Sequence, residues 1–93
     1  MAMFSGRKLF KIKDEQGLPL DFALAMILDA GQAVDWPEFI DYARECKWWD
    51  FQIINTLEYI LVDAGGKEYA ESVLARAKMY MLANPHPAMA GIK

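Results

Sequence analysis

The sequence predicts an all-α fold: a compact four-helix bundle or orthogonal helical array, preceded by a short N-terminal extended arm or strand. Three observations carry that expectation. Helix-start signals recur through the chain, apolar residues repeat at 3 and 4 positions rather than 2, and the intervening loops are short. With 93 residues, 55% of them apolar and 25% charged, the chain has the size of one domain and is too hydrophobic for the disordered class.

In residues 7–13, RKLFKIK, Phe10 and Ile12 alternate with Lys11 and Lys13, and Asp14-Glu15-Gln16-Gly17 reads as a turn. Residues 1–17 are accordingly read as a basic extended arm and turn, residues 18–84 as the helical domain and residues 85–93 as a loose tail. From Pro19 the pattern becomes helical, with Asp21 in the first turn and Gly31 as the stop. The run Phe22–Leu28 is apolar nearly all round and predicts a central, mostly buried helix.

Asp35-Trp36-Pro37-Glu38 combines a capping acid, a first-turn proline and a glutamate three residues after the cap. A helix over about 36–47 follows, with Trp36, Phe39, Ile40, Ala43 and Cys46 inward and Glu38, Asp41, Arg44 and Glu45 outward. Asp50 is read as the cap of a helix over 51–64, closed by Gly65-Gly66. Its inward arc is Ile53, Ile54, Leu57, Ile60, Leu61 and Ala64. The last helix is expected over 67–83, ended by Asn84-Pro85, with stripes at Tyr69, Val73, Ala77, Tyr80 and at Ala70, Leu74, Met81.

The chain has 10 basic and 13 acidic residues, a net charge of −3, which disfavours a nucleic-acid binder relying on overall positive charge. Four of the bases, Arg7, Lys8, Lys11 and Lys13, fall in the first thirteen residues with no acid among them. The rest of the chain is therefore strongly acidic, and the basic segment is expected to meet an acidic surface of this chain or of a neighbouring subunit. No segment has the length of a membrane span or the form of a signal peptide, so a cytoplasmic protein that does not engage a membrane is expected.

Chemistry-bearing residues are sparse. The only histidine, His86, lies between prolines in the tail, and the only thiol, Cys46, is read as a small buried hydrophobe. One Cys and one His make no zinc cluster, and no calcium loop is present. The pairs Asp41/Glu45 and Glu68/Glu71 share helix faces but read as solvated surface. Gly65-Gly66-Lys67 lacks the spacing of a phosphate-binding loop and reads as a helix-to-helix turn. No enzymatic activity and no cofactor are expected.

The aromatic cluster is the most informative feature. Trp36, Phe39, Tyr42, Trp48, Trp49 and Phe51 fall within sixteen residues. Trp36, Phe39 and Phe51 are assigned to the core, whereas adjacent Trp48 and Trp49 cannot both point inward from one short loop. Met79, Tyr80, Met81 and Leu82 likewise exceed one stripe of the final helix, and methionine-rich faces adapt to partners. The expected function is a non-enzymatic protein–protein interaction module, an adaptor, inhibitor or assembly chaperone. It is expected to bind a protein partner and to be homo-oligomeric. Its partner-binding residues are Trp48, Trp49, Tyr42, Met79, Met81, Phe10, Lys11 and Lys13.

The alternative is a small DNA-binding regulator, with 36–47 and 51–64 as a helix-turn-helix-like pair and the basic arm as a clamp. The second of those helices supplies Gln52 and Asn55 but no Lys or Arg, and carries Glu58 and Asp63. Size and mild acidity are shared with many small bacterial and bacteriophage accessory proteins. No motif assigns a family.

Overall fold

The computed structural model describes residues 3–85. Five helices pack around a common core, with one two-stranded pair at the N-terminal side: β1 (Met3–Phe4), α1 (Gly6–Gln16), α2 (Leu20–Asp29), β2 (Ala33–Val34), α3 (Trp36–Glu45), α4 (Asp50–Gly65) and α5 (Lys67–Ala83). This is the all-α array with a short N-terminal strand that the sequence predicts, with one helix more than expected.

The additional helix is the segment read as extended. Residues 7–13 lie within α1, and the strand is the preceding Met3–Phe4, parallel to Ala33–Val34. Ser5 caps α1 by accepting the Lys8 N–H at 3.2 Å, and Gly17 ends it at φ 69°. The alternation of Phe10 and Ile12 with Lys11 and Lys13 spans too few residues to separate period 2 from period 3.6. Burial decides it: Leu9 and Phe10 enter the common core with Ile12 packed beside them, while Arg7 and Lys8 stay exposed.

At its start α1 crosses α3 closely. A Cβ on Gly6 would lie 2.2 Å from the Asp35 carbonyl oxygen and 2.3 Å from the Phe39 nitrogen, so only glycine allows this approach. The sequence-predicted cap of α3 forms, with Asp35 Oδ1 accepting the Glu38 N–H at 3.2 Å. Its reciprocal half does not. The Asp35 N–H is already donated to the Phe4 carbonyl at 3.0 Å, and the Glu38 carboxylate turns instead to the N-terminus of α1. There it accepts the Ser5 hydroxyl and, at 3.2 Å, the Arg7 N–H. Those bonds, Ser5 first, hold the Glu38 carboxyl below the ordinary glutamate range.

Several residues take places other than those expected. The run Phe22–Leu28 is not buried all round: Leu20, Ala23, Leu24 and Ile27 face the core, while Phe22 and Met26 are each 54% exposed. One side of α2 meets α1 and α4, and no further layer covers the other. Helix α3 ends at Glu45, so Cys46 lies beyond the buried face and is exposed, and Lys47 turns the chain at φ 70°.

Asp50 does not cap α4 but occupies its first turn, after Trp49. Its carboxylate accepts the Arg44 Nε at 3.0 Å and Nη2 at 2.9 Å, while Arg44 Nη1 donates to the Asn84 carbonyl at 2.5 Å. Arg44 was expected outside and is buried, joining the end of α3 to the start of α4 and the end of α5. A guanidinium can be buried this way because each polar edge finds an acceptor.

The faces of the last two helices follow the sequence arcs. Ile53, Leu57, Ile60 and Leu61 of α4 and Ala70, Val73, Ala77 and Met81 of α5 are buried. Tyr80 reaches α3, its hydroxyl donating to the Asp41 carboxylate at 2.7 Å. That bond, with burial adding to it, holds the phenol above its ordinary pKa.

Candidate interaction surface

Six of the eight sequence-predicted partner-binding residues gather at one side of the molecule, where α1 lies across α3. Phe10 is their hub. Its ring centroid is 5.4 Å from Phe39, 5.4 Å from Tyr42 and 5.1 Å from Trp48, in tilted and edge-to-face arrangements. Helix periodicity places Phe10 inward from α1, and the Lys47 turn carries the Trp48 indole back beneath it.

The cations of α1 then lie over the outer faces of these rings. Arg7 Cζ is 4.7 Å and Lys11 Nζ 5.8 Å from the Tyr42 centroid, and Lys13 Nζ is 5.2 Å from that of Trp48. Each such contact contributes about 0.5–1 kcal/mol at an exposed site. Among the described residues Arg44–Asp50 is the only ion pair in direct contact, so Lys8, Lys11 and Lys13 touch no described carboxylate, while Arg7 feels the charge of Glu38. Within its own chain the basic segment meets aromatic faces, and at Arg7 also the Glu38 carboxylate.

The eight residues do not share one environment. Phe10 is 2% exposed and Met81 is buried on α5, so neither is offered to a partner. Tyr42 and Trp48 are half-buried, Trp49 is 41% exposed, Lys11 is half-buried and Lys13 exposed. Of the two neighbouring indoles, Trp49 is the outer one. Met79 is exposed on α5.

Phe51, expected in the core, is 65% exposed, because at 100° per residue it shares the outer face of α4 with Asn55, Glu58 and Val62, away from the buried arc. Leu82 of α5 is exposed, as its place outside the helix stripe implies, and Tyr59 and Val62 of α4 add exposed apolar surface that the sequence analysis does not assign to a partner. The signal available for Tyr59 was its place opposite the buried arc of α4.

Beside the cluster lies an open cleft of about 310 Å³ whose walls include Lys13, Leu20, Trp48, Thr56, Tyr59 and Ile60. At its far edge Asp21, from the first turn of α2, interacts with the Asp63 carboxyl of α4. That interaction, together with desolvation and like-charge repulsion, pushes the Asp63 carboxyl above its ordinary value. One face thus carries the α1 cations, half-buried aromatic rings and, at the opposite end, two interacting acids.

Among the described residues no three His, Cys, Asp or Glu side chains converge as a metal site, and no helix is long and apolar enough to cross a membrane. His86 lies outside the described residues. The fold and this face define a small all-α helical array with a basic, aromatic surface. Comparison with protein-family models, with curated proteins and with solved structures finds no match.

Proposed function

We propose that this protein is a non-enzymatic protein–protein interaction module that binds through the basic, aromatic face formed by α1, the 46–49 turn and the outer side of α4. The observation that supports this reading is the gathering of Arg7, Lys11 and Lys13 over Tyr42 and Trp48, with exposed Tyr59 lining the same cleft as Lys13 and Trp48 and exposed Trp49 and Phe51 following in the chain. Aromatic and basic side chains together supply the anchors and the orienting charge of protein interfaces. An acidic protein surface with apolar residues at its centre is the complementary partner.

DNA binding through α3 and α4 has less support. The exposed side of α4 presents Gln52 and Asn55 beside Glu58 and Asp63, and the cations lie on α1 instead. A groove-bound helix needs its cations near the phosphates it approaches.

The test is affinity capture from the native host, followed by titration of the purified captured protein against wild type, Lys11→Glu and Trp49→Ala. Each variant is expected to bind at least tenfold more weakly. Affinities within twofold of wild type for both variants would remove this face from the function.

A further inference from the structure

Within the cleft beside the aromatic cluster, charge is arranged by position along α4. Gln52, Thr56, Tyr59 and Asp63 recur at intervals of 4, 3 and 4 and so form one stripe of the helix. At the Thr56 end stands Trp48 with Lys13 above it; at the other end, about 10 Å along the axis at 1.5 Å per residue, Asp63 follows Tyr59 by one turn, and Asp21, which lines the same cleft, interacts with it. Tyr59, 65% exposed, lies between them.

Among the described residues neither end, Lys13 or the Asp21–Asp63 pair, is in ion-pair contact with an opposite charge. A strip that is positive at one end, negative at the other and aromatic in the middle is complementary to its own copy rotated by 180° about its centre. Two-fold interfaces require that property, since the same patch serves both subunits.

We propose that the protein forms a two-fold dimer through this strip, with the α4 helices antiparallel, the Tyr59 side chains meeting near the axis, and Lys13 of each subunit pairing with the Asp21–Asp63 carboxylates of the other. The occupant of the face is thus a second copy of this chain, which names the partner in the interaction reading above and rests on it. Two reciprocal charge contacts form per dimer. Each removes the like-charge crowding at Asp21 and Asp63 and gives Lys13 an acidic partner while its stem stays over Trp48. The strip is small beside the roughly 800 Å² per subunit of a standard interface, so association in the micromolar range or weaker, sensitive to salt, is expected.

Sedimentation equilibrium of the full chain from 10 to 500 µM, at 50 mM and 500 mM salt, tests this directly. Dimer is expected at low salt, with at least fivefold weaker association at high salt. Lys13→Glu alone and Asp63→Lys alone are expected to sediment as monomers, with unchanged circular dichroism. Their equimolar mixture is expected to dimerise again, because both cross-subunit contacts are then between opposite charges. A wild-type monomer at 500 µM and 50 mM salt overturns the proposal, as does a dimer indifferent to Lys13→Glu. A monomer that binds a single-stranded oligonucleotide, and loses it on Lys13→Glu, gives the strip to nucleic acid and overturns it too. A monomeric result with host-protein capture still lost in Lys11→Glu and Trp49→Ala removes the dimer alone, whereas intact capture in those variants removes the wider interaction reading.

Discussion

Replacing Gly6 by alanine tests the packing that sets the whole N-terminal side. The added Cβ would stand 2.2, 2.3 and 2.8 Å from three backbone atoms of Asp35 and Phe39, where ordinary contact is 3.4–4 Å. No rotamer change relieves contacts with backbone, so α1 and α3 have to separate by about 1 Å or more. That movement stretches the bonds from Ser5 and Arg7 to Glu38 and loosens the Phe10–Phe39 contact. Overpacking of this kind costs about 1–3 kcal/mol or more, and alanine's better helix propensity returns at most about 1 kcal/mol. Because all three contacts are with backbone the upper end of that range applies, and a net loss of about 2 kcal/mol is expected, a fall in Tm of about 8–16 °C for a domain of this size. Gly17→Ala is the control, since Gly17 has φ 69° and nothing within 4 Å of its Cβ position. It is expected to cost about 1 kcal/mol from backbone conformation alone. Urea unfolding with both variants gives the comparison. Gly6→Ala within about 0.5 kcal/mol of wild type would refute the close-approach argument.

Phe10→Ala is expected to cost about 3–5 kcal/mol in urea unfolding, and Trp49→Ala less than about 1 kcal/mol, because only the first empties a core position. Arg44→Ala leaves the partly buried Asp50 carboxylate without its cation and is expected to cost about 2–4 kcal/mol; Arg44→Lys should recover little of it, since an ammonium cannot make both contacts. Ser5→Ala removes the α1 cap, at about 1 kcal/mol at pH 7. Because the folded-state Glu38 pKa is lowered, its contribution is present above the unfolded value near 4.5 and is lost as pH falls through the folded one. Ser5→Ala should therefore flatten the acid limb of stability against pH, measured by thermal unfolding between pH 3 and 7. Asp63 works in the opposite direction: its raised pKa contributes stability below 3.8 that is lost as pH rises through the folded value. Asp21→Asn should thus gain stability at pH 7 relative to pH 3, and an unchanged difference would contradict the crowding of the two acids.

The sequence by itself determined the all-α class, the extent of α5, the Asp35 cap and the buried arcs of α4 and α5. These depend on period, capping chemistry and helix breakers, which act between residues a few positions apart. The tertiary structure decided what depends on neighbours distant in the chain. Residues 7–13 became a helix because Leu9 and Phe10 found a core, a gain that seven residues of pattern do not record. Glu38 left its local capping box because Phe4, 31 residues earlier in the numbering of its Asp35 partner, had taken the backbone N–H it would have used. Arg44 went inside because Asp50 and the Asn84 carbonyl together satisfied its guanidinium. The gathering of Tyr42, Trp48, Lys11 and Lys13 was legible as composition and as proximity in part. Their arrangement around Phe10, and the placing of Asp21 against Asp63 at the far end of the same strip, came only with packing, because a linear sequence fixes which face a side chain takes on its own helix and leaves open what that face meets.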